Sequence, residues 1–370
     1  MTKAAELAKM GEVLTNGQIG GRRNLLFNGA MNIAQRSTSL TGQGAYPGGY
    51  LTVDRWKFVT NNSAGRFTVT QEAITDLPGF LNCTKLDCTT ADTSIASGEY
   101  LLFSQYLEGQ DLQQIKKGTS EAEKITLSFY VKGNASATYT AEIEDSDNSR
   151  YNSQEFSVTT SWNRVVLTYN ADTTGAFDDD NAASLRLNLW IHSGSDFSSG
   201  THTSNAWHTT ATQRFGDNSN SFYSSTDNTF FITGVQLEVG SQATPFEHRS
   251  FAEELALCQR YFFVLAKGSD HAYENVGNAF GHSASQMESV IRYGPRSGMR
   301  TAPTLDHPSG TNYYKVLNDG DEDQFNSLQY YNPSKRSALI YRNSINITAN
   351  GTYRFIINNA SAHIYLDAEL

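Results

Sequence analysis

Charge is scarce in this chain. Only 18% of its 370 residues are Asp, Glu, Lys or Arg, below the roughly 25% of an ordinary soluble domain. The 28 basic residues are outnumbered by 38 acidic ones, for a net charge of −10, which argues against a nucleic-acid binder. Cysteine is scarce too: Cys83, Cys88 and Cys258 are too few, and odd in number, for a disulfide framework. Cys83 and Cys88 are close enough to pair, but a lone C-x4-C without clustered His is weak as a zinc site. Small residues inside a β-domain is the reading adopted for all three. Long apolar runs are missing. The longest, 262–266, falls far short of the 18 or so residues of a membrane span, so no membrane insertion is expected. The N-terminus has no apolar signal-peptide core, which implies synthesis in a cytoplasm. There is no phosphate loop, dinucleotide fingerprint, H-E-x-x-H or G-x-S-x-G. Nor is there a repeat that would suggest a propeller or solenoid.

What the chain has instead is neutral hydrogen-bonding capacity. It contains 36 Thr, 37 Ser and 29 Asn, with aromatics at 12%. Aromatic-rich, charge-poor chains fold, and these residue types favour strands and turns. Period-2 alternation marks strands within 66–70, 124–131, 138–143, 164–169, 185–191 and 229–237, separated by polar turn clusters such as 145–149, 172–180 and 193–200. Short strands of this kind predict a two-sheet sandwich or jelly roll over residues 24–249. A capping box, Ser250 to Glu253, then opens a helix with Arg260 in its last turn. This helix, 250–262, reads as a connector. Strand patterns return over 263–370 at 289–293, 313–317, 338–341, 351–357 and 362–368, predicting a smaller β-sandwich. At the other end Leu7, Met10 and Leu14 share a helical spacing. A helix this short is marginal alone, so residues 1–23 read as an attachment segment that docks or bundles. The fold class is therefore all-β: a jelly roll, a linking helix, a C-terminal β-domain and a short N-terminal helix.

Few constellations carry chemistry. Asp172 with Asp178, Asp179 and Asp180, and the run Asp319, Asp321, Glu322, Asp323, offer oxygens for a structural Ca2+. Neither has EF-hand spacing, so solvated loop charges are the favoured reading over calcium, and no other cofactor is implied. Glu142 and Glu144 share one face of a strand, near Asp145 and Asp147, which resembles the paired carboxylates of a glycosidase. The favoured reading is a solvated acidic strand face. His192, His202 and His208 lack ligand spacing and read as polar loop residues. Trp56, Trp162, Trp190 and Trp207 read as core or sheet-edge residues that otherwise would stack on sugars. For surface contacts the adjacent pairs Tyr313-Tyr314 and Tyr330-Tyr331 are better candidates. Each pair sends one ring outward in extended chain, and exposed Tyr offers contact area at low entropy cost.

Several stretches together resemble a family of tailed-bacteriophage structural proteins described as tail fibre or minor tail proteins. They are NLLFNGAMNIAQR (24–36), YLTVDRW (50–56), ITLSFYVK (125–132), TFFITGVQLEVG (229–240), ATPFEHR (243–249), ELALCQRYF (254–262), MRTAPT (299–304) and the ending LDAEL (366–370). The resemblance implies a carbohydrate-binding-module-like jelly roll, a linking helix and a distal C-terminal β-domain, assembled as trimers on a virion. Its motifs look structural, with Asp54, Arg55 and Trp56 beside a core and the GVQLE strand closing the sandwich. The expected role is non-catalytic attachment to a host-surface glycan, with avidity from linked copies. The partners are then copies of the chain, other virion proteins and the glycan. A purely structural adaptor or decoration protein, and a polysaccharide-degrading tailspike, are the alternatives.

Overall fold

The computed structural model describes Lys3 and residues 22–216, 220–271, 273–295 and 297–370. The attachment residues Leu7, Met10 and Leu14 lie outside the described residues. The chain divides into two compact units, one ending at Glu254 and the other running Leu255–Leu370.

The first unit contains β1 (Ser39–Gln43), β2 (Gly48–Tyr50), β3 (Lys57–Asn61), β4 (Arg66–Ala73), β5 (Asn82–Thr90), β6 (Tyr100–Glu108), β7 (Ile125–Gly133), β8 (Ala137–Asp145), β9 (Arg150–Val158), β10 (Asn163–Tyr169), β11 (Ala183–Ser193) and β12 (Thr229–Val239). They form two six-stranded sheets, ordered β1-β4-β5-β12-β7-β10 and β2-β3-β6-β11-β8-β9. Every pairing is antiparallel. The expected all-β sandwich of jelly-roll type is the fold. Alternation fills the space between the sheets: Leu185, Leu187, Leu189 and Ile191 of β11 are buried, as are Phe67 and Val69 of β4 and Leu127, Phe129 and Val131 of β7. Strand β12, carrying GVQLE, is a central strand between β5 and β7. Its ladder shifts register between Thr233 and Gln236. Gly234 sits in that shift at φ 63°, with Phe80 packed where a Cβ would stand, so glycine is required on both counts.

The motif residues 28–56 knot one end of this core. The Asn28 side-chain amide donates to the carbonyls of Ile33 (2.8 Å) and Asp54 (3.0 Å), and its Oδ1 accepts from the Asn32 and Ile33 N–H groups. Trp56 stacks on Phe103 at 4.6 Å and donates Nε1–H to the Asn28 carbonyl. Asp54 and Arg55 are fully buried, and Arg55 Nη2 donates to the Tyr106 carbonyl at 2.8 Å. All three cysteines are buried and unpaired with one another, and burial pushes the Cys83 thiol up to about 12.

The helix spans Phe251–Gln259, with the Glu253 N–H donating to Ser250 Oγ at 3.3 Å. It stops one residue short of Arg260, so the expected cation lies beyond its last turn.

The second unit contains β13 (Phe262–Lys267), β14 (Asn275–Ser283), β15 (Gln286–Arg292), β16 (Thr304–Asp306), β17 (Tyr314–Asn318), β18 (Asp321–Phe325), β19 (Gln329–Tyr331), β20 (Ser337–Asn343), β21 (Thr352–Ile357) and β22 (His363–Asp367). A three-stranded sheet β13-β22-β16 and a seven-stranded sheet β18-β17-β21-β14-β15-β20-β19 share one core that includes Met287, Tyr314, Val316, Ile340, Tyr353, Phe355 and Ile364.

Candidate functional site

The outer face of the β2-β3-β6-β11-β8-β9 sheet departs from an ordinary solvated surface. Register places Lys57, Ser104, Asn188, Glu142 and Ser153 in one row across it. The next row holds Tyr106, Arg186, Glu144 and Tyr151, and a third holds Val59, Leu102, Trp190 and Thr140. Residues 194–216 fold back over one end. There Phe197 lies 5.5 Å from Tyr100 and 5.2 Å from Trp190, and Phe215 lies 6.3 Å from Trp190. A hollow of about 210 Å³ remains, lined by Tyr100, Tyr106, Glu144, Arg186, Trp190 and Arg214 among others.

Arg214 organises the floor. Its Nε donates to Glu142 Oε2 at 2.8 Å, and its Nη2 to Glu142 Oε1 at 2.6 Å and Glu144 Oε2 at 2.8 Å. The guanidinium lies 4.0 Å from the Tyr151 ring centroid and 5.0 Å from that of Trp190. Burial opposes its charge, but Glu142 prevails and raises its pKa. Asn188 Nδ2 donates to both carboxylates and Trp190 Nε1 to Glu142. Arg186 Nη1 donates to Glu144 at 3.1 Å while its guanidinium lies 4.7 Å from the Tyr106 centroid.

The expectation of a solvated acidic face is thus corrected. Glu142 is fully buried, because the 194–216 segment roofs the strand that the sequence pattern left open to water. A paired charge is the form in which a carboxylate tolerates such burial. Each carboxylate is held by cations and amide or indole donors.

His192 is corrected too. It lies on β11 and is fully buried, not a loop residue. The Asn62 Oδ1 accepts from the Ala64 and Gly65 N–H groups, so its Nδ2 faces His192 Nε2 at 3.3 Å as a donor. The proton then sits on Nδ1, which donates to Ser221 Oγ at 2.8 Å. Ser221 is an acceptor here, and the imidazole cannot serve it as a base. Burial outweighs Glu99 and holds His192 at about 4. Unfolded His titrates near 6.5, so between those values the unfolded chain binds the extra proton. The stabilisation is full above pH ~6.5 and is lost as pH falls towards 4, up to about 3 kcal/mol. Urea unfolding at pH 7 and 4.5 is expected to show this loss, and His192→Gln to flatten it. An unchanged slope would refute the assignment. His202 accepts or donates at Ser153 Oγ (3.0 Å), and no His, Cys, Asp and Glu grouping suited to a metal occurs among the described residues.

At the first candidate calcium loop Lys117 stands against Asp172. Its ammonium lies 2.5 Å from Asp145 Oδ2, 3.1 Å from Asp172 Oδ2 and 2.8 Å from the carbonyls of Thr174 and Gly175. A side-chain cation already fills that oxygen cage, while Asp178, Asp179 and Asp180 are exposed. In the second loop Asp321 accepts from Tyr353 Oη and the Thr348 N–H, and Asp323 from the Asn346 N–H.

The four candidate tyrosines do not form one site. Tyr314 is fully buried, donating its hydroxyl to the carbonyls of Pro308 (2.9 Å) and His363 (3.2 Å). It is a core residue, and burial raises its pKa. Tyr313 is half-buried beside it, with ring centroids 6.4 Å apart. Tyr330 is half-buried with its hydroxyl 3.1 Å from that of Tyr293, leaving Tyr331 as the exposed ring. Four strands of the sheet order separate β17, which begins at Tyr314, from β19, which carries Tyr330 and Tyr331. Of the tryptophans, Trp56 and Trp190 are buried and Trp162 and Trp207 half-buried.

The sequence reading missed Tyr100, Tyr106, Arg186 and Arg214. Strand β6 is buried on both faces over most of its length, so its apolar residues run together and the period-2 signal is lost.

No protein-family model matches the sequence, and no curated protein matches it. Among solved structures the chain is similar to one described as "CBM4 structure and function" (11% identity over 57% of this chain and 97% of that one, TM-score 0.29). It is similar to a family 11 carbohydrate-binding module from Clostridium thermocellum bound to a beta-1,3-1,4-mixed-linked tetrasaccharide (12%, 56% and 98%, TM-score 0.27). A third is the enzymatically active domain of bacteriophage CBA120 tailspike protein 4 (11%, 58% and 21%, TM-score 0.28). At these identities and scores the likeness does not bear on what this chain binds.

Proposed function

We propose that the β6-β11-β8 face is a glycan-binding groove and that the chain attaches a phage particle to its host without hydrolysing the glycan. The observation that carries the reading is the composition of the hollow. Half-buried aromatic rings, Tyr100 and Phe197, stand beside fixed polar groups whose carboxylates are already satisfied. Ligand pockets combine an apolar floor with a few placed polar groups in this way. Saturated carboxylates favour holding a sugar over cleaving it. A larger hollow of about 530 Å³ near Lys116 and Phe177 is lined by loop residues and offers a single aromatic side chain. Support for the virion location comes from the phage-like sequence stretches, and on this reading the copies form a trimer whose linked grooves raise avidity about 10²–10⁴-fold.

The test is binding of the purified chain to arrayed host-surface oligosaccharides. Tyr100→Ala and Tyr106→Ala are each expected to weaken binding about 30-fold, the ~2 kcal/mol of an aromatic anchor, with no release of reducing ends. Retention of no glycan would overturn the groove assignment and leave the structural-adaptor reading. Release of reducing ends would restore the depolymerase.

A further inference from the structure

Residues 255–370 hold ten Lys and Arg against ten Asp and Glu, so the net charge of −10 belongs to the first unit. The balance hides a separation across the seven-stranded sheet. One edge is β18, where Asp321, Glu322 and Asp323 follow Asp319 of the preceding turn. Lys315 of β17, 2.6 Å from Glu322, is the cation in contact with that group. At the opposite edge lie Lys335 and Arg336, in the loop between β19 and β20, and two strands in from β19 lies Arg292 of β15; all three are exposed. Among the described residues none of these three forms an ion pair with a carboxylate.

Beside the basic edge lies an apolar row. Register aligns Tyr331, Leu339 and Val290 across β19, β20 and β15 on the solvent face. Tyr331 is 57% and Val290 75% exposed, and Phe280 of the next strand is 45% exposed. Neighbouring apolar side chains rimmed by charge are the anatomy of a contact surface. Charge on an edge strand commonly just prevents edge pairing. Opposite signs on the two edges do something more. Like edges repel, which disfavours a two-fold dimer through either one, whereas unlike edges attract. A contact between different patches of identical chains is head to tail, and it closes into a ring when the rotation permits.

We propose that the second unit joins copies of the chain head to tail. The β18 edge of one copy meets Arg292, Lys335, Arg336 and the Tyr331–Leu339–Val290 row of the next, closing a cyclic assembly. The occupant of the apolar row is thus a second copy of this chain, chosen by charge complementarity.

Light scattering of the full chain at about 0.1 M salt, where the Debye length is about 10 Å, tests this. The unaltered chain is expected as an oligomer of the 40.8 kDa chain. Lys335→Glu with Arg336→Glu is expected to give monomer, as is Asp319→Lys with Glu322→Lys. All four together are expected to restore the oligomer. These side chains are exposed, so unchanged melting of each variant separates lost association from lost folding. Raising salt is expected to weaken assembly at least about tenfold. Monomeric unaltered protein, an oligomer indifferent to either reversal, or failure of the fourfold swap to restore it overturns the proposal. Monomer that still binds glycan removes the avidity and leaves the groove standing, so the two readings fail separately.

Discussion

Replacing Lys117 by Met is expected to cost about 3–5 kcal/mol of folding stability, the loss typical of removing one partner from a buried ion pair. Met keeps the apolar stem and deletes the ammonium. Asp145 and Asp172, 0% and 4% exposed at the side chain, are then left with hydrogen bonds but without that cation. Arg150 still holds Asp172 through two bonds of 2.7 and 3.0 Å, whereas Asp145 keeps only the N–H and amide of Asn148. Adding Asp145→Asn to Lys117→Met is therefore expected to recover part of the loss, which a double-mutant cycle measures by urea unfolding. Calcium or a chelator is expected to leave the unaltered chain's midpoint in place, since the ammonium fills the cage. A calcium-dependent midpoint would refute that. Burial alone would raise the Asp172 carboxyl, but Arg150 and Lys117 hold it below the usual carboxylate range. Its contribution is full above about pH 4 and is lost as pH falls through the lowered value. This adds to the His192 effect only at the acid end.

Arg214→Met is expected to be comparably damaging, again about 3–5 kcal/mol, and to abolish glycan binding with it. Glu142 would be left with Asn188 at 2.9 Å and Trp190 at 3.2 Å as its donors and no cation. A carboxylate stripped of its cation in so enclosed a place is costly to the fold. Glu142→Gln in the same chain removes the stranded charge, and is expected to restore much of the stability while binding stays weak. Arg214 also ties the 194–216 segment to the floor, so the hollow beside Phe197 would lose its wall. If Arg214→Met melts like the unaltered chain, the buried-pair account is wrong. If it melts early yet the double variant binds fully, Arg214 supports the fold and does not shape the groove.

Much of the architecture was legible in the chain. Alternation in 124–131, 185–191 and 229–237 located three of the central strands, because one face of each is packed and the other hydrogen-bonded or wet. The shared face of Glu142 and Glu144 followed from the two-residue period alone. The Ser250 cap was equally readable, since it depends on neighbours three residues apart.

Other features were set by contacts distant in sequence. Arg214 stands 72 residues from Glu142 in a loop with no periodicity, and Lys117 meets Asp172 across a shorter but still long gap in sequence. Alternation promised one outward ring from Tyr313-Tyr314 without saying which, and Tyr314 is the one packed into the core. Local pattern determined that this protein is β-rich, which residues alternate, and that its hydrogen-bonding capacity is neutral. Tertiary structure alone decided which carboxylates are buried, which cations neutralise them, and which rings face water. Strand order and register bring β6, β11 and β8 side by side, and no local propensity encodes that pairing. A face is assigned to solvent or to core only when a distant segment either covers it or leaves it open.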